Sequence, residues 1–526
     1  MRRRVFSSVG LVAVVGIVTV VTHGAEPTAW PKTISVSTVG ARFLDGSDKK
    51  PNRASESPSD AVPESSPRRN PLKNKRSQPK PAPAPWKGVY YDNDFSYKKA
   101  QHKPLFGESL KEMSLGRCSP HRLSTGGELR YRYMNDQNRF RATYPGRNDY
   151  QLWRWRHYVD YRYDGLFRVY FEGIDASSSG EEFPHLAIDV NRSDYINAFV
   201  DVTVGEIWGQ KVYFRYGRQE LLFGVERLIS PLDWANTRRT FKGFKLFSRG
   251  DEWDIDLFAT RPVIVFDHES DHPDASRTFS GVYASYKGWK DEVLDLYWLW
   301  DREREPIANR PSGSRQTVGA RWAASMPMKN CCGEVCRVWL AEIEGAYQFG
   351  HDKGLSVQAG FFTAGLGHTW KALPWEPSVW ATFDWASGDR NPADGKNNTF
   401  NQLYPLGHKY LGWFDGVGRQ NIIDYNLRCS VKPCKKITAT VWMHWFELDN
   451  PGDALYTAGG APFAMNPAGV SLVDVGEELD VTVKVTFNPN ADVLIGYSWF
   501  FNGDMLKSAG RTSDGRFFYV QQTMRY

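Results

Sequence analysis

Past residue 22, the 526-residue chain has no apolar run approaching the roughly 20 residues that a membrane-spanning helix needs. A polytopic helical membrane protein is thereby excluded. Also missing are H-E-x-x-H, G-x-S-x-G and G-x-x-x-x-G-K-[ST], the spacings of a zinc protease, an esterase-type nucleophile and a phosphate-binding loop. Neither an enzyme nor a cofactor is expected, and no metal centre. A basic main domain is lacking too, although the formal charge is +6. Residues 1–25 hold three Arg and no acid, and residues 26–110 hold 15 Lys and Arg against nine Asp and Glu, whereas the rest holds 48 against 51. The positive balance belongs to the N-terminal segments, so no nucleic-acid partner is expected.

What the chain does have is aromatic residues, 14% of the total, at a mean hydropathy of -0.51. Many Trp and Tyr in a hydrophilic chain suit a protein that meets lipid with alternate residues only. The first 25 residues read as an export signal: three arginines, an apolar stretch from Val9 to Val21, then the small residues Gly24 and Ala25. Residues 26–117 read as a disordered linker. Nine prolines lie between Pro51 and Pro85, and such composition cannot bury enough apolar area to offset chain entropy.

From about residue 118 to 526 the sequence breaks into short alternating segments. In GELRYRYM, Glu128, Arg130 and Arg132 share one face and Leu129, Tyr131 and Tyr133 the other. In WRWRHYVDYRY, Arg154, Arg156, Asp160 and Arg162 oppose Trp153, Trp155, Val159 and Tyr161, and LDVTVKVTF alternates in the same way. Period 2 with one polar and one apolar face means strand. Alternation alone also fits a water-soluble sandwich. The aromatic strand ends in ATVWMHWF and GYSWFF, and the aromatic Tyr526 closing an alternating segment, favour an all-β transmembrane antiparallel barrel.

About eighteen strands are expected, at 124–133, 150–162, 166–174, 195–205, 211–218, 240–248, 252–260, 278–286, 292–301, 316–326, 337–348, 357–369, 377–386, 421–429, 435–446, 478–488, 492–501 and 516–526. An even count suits closure of a single-chain antiparallel barrel. Gaps after even strands are short and those after odd strands mostly long, which places the odd-strand loops outside the cell and the even-strand turns in the periplasm. All six cysteines then fall on the periplasmic side. Cys429 and Cys434 are expected to pair across the turn CSVKPC, and one of Cys331, Cys332 and Cys336 to pair with another cysteine.

Two longer stretches, GRQELLFGVERLISPLDWANTRRTFKGFKL from Gly217 and SGDRNPADGKNNTFNQLYPLGHKYLGWFDGVGRQNIIDYNL from Ser387, resemble signature segments of the alginate export family of outer-membrane proteins. The resemblance extends more loosely over residues 121–526. It implies an eighteen-stranded barrel in the bacterial outer membrane that passes a polyanionic polysaccharide through an arginine-lined pore. Fold-level likeness does not fix the cargo. A less selective anion porin and a barrel-anchored hydrolase or adhesin stay open, as does a periplasmic export partner.

Uronate polymers need donors that match carboxylates, and arginine offers a planar, permanently charged fork. Arg130, Arg132, Arg154, Arg156, Arg162, Arg168, Arg215 and Arg321 stand on polar strand faces, interleaved with acids that include Glu128, Asp160 and Glu172. They read either as a substrate path or as a charge network that hydrates a porin wall. In the first signature stretch Arg218, Arg227, Arg238 and Arg239 occupy the basic positions, with Asp233 and Asn236. Arg218 shares strand parity with Phe214 and Tyr216, so it turns inward only if a bulge or the strand end reverses that parity. In the second stretch Asp389, Asn391, Asp394 and Gly395 miss the calcium-loop spacing by one residue and read as a polar turn. His408 is expected to hydrogen-bond within its loop. The assignment of sides is testable: epitope tags near Gly395 or Gly503 should be labelled on intact cells, and one near Asn490 should not.

Overall fold

A computed structural model describes residues 85–95, 105–117, 119–304 and 312–526. The signal segment, the linker through residue 84 and Cys118 lie outside the described residues. The alternating segments form eighteen long strands there. The first six are β1 (His121–Gln137), β2 (Arg147–Tyr163), β3 (Phe167–Ser179), β4 (Asn191–Ile207), β5 (Gln210–Gln219) and β6 (Phe241–Arg249). Next come β7 (Trp253–Ile264), β8 (Arg277–Tyr286), β9 (Glu292–Glu303), β10 (Gly313–Lys329), β11 (Val335–Asp352) and β12 (Leu355–Trp370). The last are β13 (Ser378–Ala386), β14 (Ile422–Cys434), β15 (Ile437–Glu447), β16 (Asp474–Asn488), β17 (Ala491–Asn502) and β18 (Gly515–Arg525). Each strand pairs antiparallel with its neighbours in sequence, and β18 returns to β1 from Glu128↔Arg525 to Gln137↔Arg516. The barrel is closed and leaves no edge strand to be templated by another chain.

Burial runs opposite to that of a water-soluble domain. On β2, Trp153 and Trp155 are 52% and 49% exposed while Arg154 and Arg156 between them are 1% exposed. Leu129, Val169, Phe171, Leu257, Leu296, Trp298 and Leu366 also face outward, where lipid rather than water is the solvent. The strands outrun the expected ones because their rim ends carry polar residues on both faces. Asn135, Asp136 and Gln137 extend β1 in this way without adding to its amphipathic signal.

Connections sort by rim. Even strands end in turns such as 164–166, 208–209, 435–436 and 489–490, and odd strands lead into 180–190, 220–240, 387–421 and 448–473, with the tight turn at 353–354 as an exception. Among the described cysteines, Cys331, Cys332, Cys336, Cys429 and Cys434 are all free, which corrects the expected disulfides. The reason for the second pair is geometric. Cys429 and Cys434 lie on one strand, β14, where five residues at about 3.3 Å each hold the Cα atoms roughly 16 Å apart, beyond the approximately 7 Å limit of a disulfide.

The linker also ends earlier than its composition implies. Val89, Tyr90 and Tyr91 are buried against Tyr158, Tyr170 and Phe199 of the barrel wall, and Phe95 is buried edge-on to Trp86, so the aromatic cluster after Pro85 supplies the apolar area that the proline-rich stretch lacks.

Arg218 does not turn inward: it keeps the parity of Phe214 and Tyr216, opposite Ala198 and the exposed Lys242, and is buried there against Asp271. Between Tyr216 and Arg218, Gly217 has a φ of +143° and a Cβ there would stand 2.1 Å from the Ala198 carbonyl oxygen, so this position in β5 requires glycine. Gly217→Val should lower barrel stability by about 2 kcal/mol or more, read as a lower denaturant midpoint for the compact, heat-modifiable electrophoretic form.

Candidate functional site in the barrel lumen

The inner wall of β1 and β2 presents a tight group of guanidiniums. Arg154 donates to Glu128 at 2.6 Å and to Asp233 at 2.9 Å. Arg156 pairs with Glu172 at 2.6 Å. Arg130 and Arg132 differ, because they donate to neutral acceptors. Arg130 donates to the carbonyls of Asp233 (2.6 Å) and Ala235, and Arg132 to the Trp234 carbonyl (2.8 Å) and the Gln521 side chain. Arg132 also lies 3.8 Å over the Trp234 ring.

These contacts arise because loop 220–240, the first signature stretch, folds into the barrel. A loop buried in a lumen must have its backbone polar groups satisfied, and three successive carbonyls here take arginine donors. Asn236 donates to the carbonyls of Trp153 (3.0 Å), Ser177 and Asp189, which pins the loop to β2 and β3. Arg238 bridges Glu220 and Asp233. Asp233 is half-exposed; the desolvation it suffers inside the lumen would raise its carboxyl, but Arg238, Arg154 and Arg130 outweigh it and hold the group well below the usual carboxylate range. Arg239 meets the Pro405 carbonyl at 3.0 Å, and burial pushes it down to about 10.

The second signature stretch meets the first inside the lumen. Ile229 and Tyr404 form a β-bridge, with Ser230 N donating to Tyr404 O and Tyr404 N to Leu228 O, both at 2.9 Å. His408 is corrected from a hydrogen-bonding role: it stacks on Trp234 at 3.5 Å and 9°. Burial first, then Arg132 and Arg139, keep its imidazole neutral, well below the usual value. Three strands from β1 around the wall, the polarity inverts. Glu478 and Asp480 of β16 accept the backbone amides of Phe414 (2.7 Å) and Trp413 (3.0 Å). Asp389, Asn391 and Asp394 lie in a polar turn of this loop, where Asp389 Oδ1 accepts the Asn391 amide at 3.2 Å and Asp394 Oδ1 the Lys396 amide at 2.9 Å.

The remaining candidates are distributed along the wall. Arg168 and Arg162 share Asp160 at 2.8 Å each near the short-turn rim, where Arg162 is 44% exposed. Arg215 pairs with Asp201 at 2.6 Å. Arg321 bridges Asp295 (2.9 Å) and Glu342 (3.2 Å), and Arg227 reaches the same Glu342 at 2.8 Å and also Glu344. Arg218 pairs with Asp271 at 2.6 Å. Sequence reasoning missed Arg419, buried against Asp384, and it missed Tyr90 and Tyr91. The arginine sits in the quoted second stretch, and the tyrosines in an aromatic cluster, YYDNDF, that breaks the linker composition.

The sequence pattern of alginate export proteins matches residues 121–520. The chain belongs to the alginate export family. No curated protein matches it significantly. Among solved structures, the barrel is similar to the outer membrane protein OprD of Pseudomonas aeruginosa, with a TM-score of 0.52 and 12% identity over 79% of this chain and 95% of that one. OccK5 (OpdH) of the same organism gives 0.52 and 10% over 77% and 97%, and OccD3 (OpdP) gives 0.52 and 11% over 76% and 91%. At such identity the likeness speaks for the fold. The family and the barrel together place the protein in the bacterial outer membrane as a channel.

In this member of the alginate export family the inward loop depends on Asp233. Its folded pKa lies below its unfolded one, so its contribution is present above about pH 4 and lost as pH falls further. Asp233→Asn should therefore loosen the loop at neutral pH as acid does in the parent. Because the carboxylate is half-exposed, the expected effect is about 1 kcal/mol, measured as faster amide exchange over residues 231–238 with the barrel intact. Unchanged exchange would show that the loop is held without this charge.

Proposed function

We propose that the barrel passes an anionic polysaccharide or its oligomers across the outer membrane, with alginate-like polyuronates as the cargo class and the wall arginines as the path. The observation that carries this reading is the pair Arg130 and Arg132. Most other candidate arginines have a carboxylate within ion-pair distance, so their field is largely cancelled locally. These two are held by carbonyls and an amide side chain, which orient a guanidinium without neutralising it. Charge fixed in this way next to the inward loop favours a passing carboxylate and still releases it, because no single site combines a full set of donors. Membership of the alginate export family supports the same cargo class.

A less selective porin for small anions is the second reading, favoured by the ion pairs that neutralise Arg154, Arg156, Arg215 and Arg321. The outer face meets lipid, and a periplasmic partner that delivers polymer to the short-turn rim belongs to the first reading.

Planar-bilayer recording separates the two. Arg130→Gln with Arg132→Gln removes two charges without stranding a carboxylate. Anion preference should fall, and block of the open current by uronate oligomers should weaken several-fold relative to neutral oligosaccharides of equal length. Both differences should shrink at high salt, where screening acts over roughly 3 Å instead of 8 Å. The lipid-facing change Trp155→Phe should leave selectivity alone. Uronate block that persists undiminished in the double variant would overturn the assigned path.

A further inference from the structure

Residues 85–95 form a small closed loop that enters the barrel from the short-turn rim. Asp94 N donates to Pro85 O at 3.2 Å and Lys87 N to Asn93 Oδ1 at 2.9 Å, so the two ends of the loop lie together. Trp86 Nε1 donates to Asn490 in the turn 489–490 at 3.0 Å, which marks the point of entry. A single helical turn, Tyr90–Asp92, forms the tip.

Inside, the tip lands on the proposed path. Tyr90 donates to Glu128 and Tyr91 to the Glu220 carbonyl, both at 2.6 Å. Arg168 donates to the Tyr91 carbonyl at 2.7 Å and Arg238 to the Gly88 carbonyl at 2.8 Å. Arg156 lies 4.1 Å over the Tyr90 ring and Arg215 4.6 Å over the Tyr91 ring. Beneath them, Tyr158, Tyr170 and Phe199 stack in a row across β2, β3 and β4, at 5.7 Å and then 5.2 Å. Tyr91 meets Tyr170 and Phe199 edge-on at 83° and 90°. A row of flat rings flanked by guanidiniums is the chemistry that takes the apolar face of a pyranose and its carboxylate.

We propose that residues 86–95 are a tethered plug, which closes the short-turn half of the channel by occupying this aromatic and arginine shelf in place of cargo. The plug is held by polar contacts and ring edges to a wall that exists without it, and no strand pairing ties it to the barrel. Its withdrawal uncovers Arg156, Arg168 and Arg215 and leaves the eighteen strands unchanged. The competition with cargo rests on the function proposed above, whereas the closure does not.

The test is conductance of the full chain in a planar bilayer against a variant with Val89→Ser, Tyr90→Ser and Tyr91→Ser. Folding is checked by heat-modifiable mobility. The variant should conduct at least threefold more, and a synthetic peptide of residues 86–95 should close it again from the short-turn side only. A second arm adds a covalent lock to the triple variant. A Cβ on Gly88 would lie 2.6 Å from Leu222 Cδ1, which puts the two side chains close to disulfide reach. Gly88→Cys with Leu222→Cys, in the triple variant with its native cysteines replaced by Ser, should be closed when oxidised and conduct when reduced. Equal conductance of the folded triple variant and its parent, or of the oxidised and reduced lock, overturns the plug. Uronate block is then measured on the plug-free variant: raised conductance without block keeps the plug and removes the uronate cargo, and block without raised conductance does the reverse.

Discussion

The structure depends on one exchange, in which charged side chains of the wall satisfy the backbone of loops that have left water. An unpaired buried carbonyl or amide costs on the order of 1–3 kcal/mol, and loops folded into a barrel have no sheet partner for most of theirs. On one side, Arg130, Arg132 and Arg154 supply donors to the carbonyls of residues 233–235. On the other, Glu478 and Asp480 supply acceptors to the amides of Trp413 and Phe414. The two loops then need only join each other, through the bridge of Ile229 to Tyr404 and the stack of Trp234 on His408.

This division explains why the wall is zoned. Donors cluster on β1 and β2 and acceptors on β16 because each loop presents a different edge of its backbone to the wall. Where no loop carbonyl is at hand, an arginine takes a carboxylate instead, as Arg215 takes Asp201 and Arg321 takes Asp295. Buried charges left alone would cost several kcal/mol each, so the pairs are a condition of the fold before they have any part in transport.

The barrel was legible in the sequence because strand alternation is a local signal and lipid enforces it on every turn of the wall. Trp153, Arg154, Trp155 and Arg156 state it within four residues. The short connections were legible for the same reason. What one strand does to another residue far away was not. CSVKPC looks like a turn, yet Cys429 and Cys434 stay in one strand because β14 runs on to pair with β15 up to Ile437. His408 carries no local sign of Trp234, which lies in another loop. The wall arginines were found by parity, but parity says only that they face inward; the acids that decide their net charge come from neighbouring strands and the carbonyls from a loop folded into the lumen.

The same distinction bears on selectivity. A count of inward arginines overstates the positive field, since a guanidinium paired with a carboxylate contributes little beyond a few ångströms. A guanidinium held by carbonyls keeps its full charge and is oriented at the same time. Such a site exists only where a loop returns its backbone to the wall, so the field around Arg130 and Arg132 is set by the loop as much as by the strands. Loop 220–240 presents its carbonyls at Asp233, Trp234 and Ala235, and in doing so it holds two guanidiniums without a carboxylate at ion-pair distance. Loop position and charge are therefore coupled: a change that drew the loop back would also release Arg130 and Arg132 to seek carboxylates of the wall, and the field at that place in the lumen would fall.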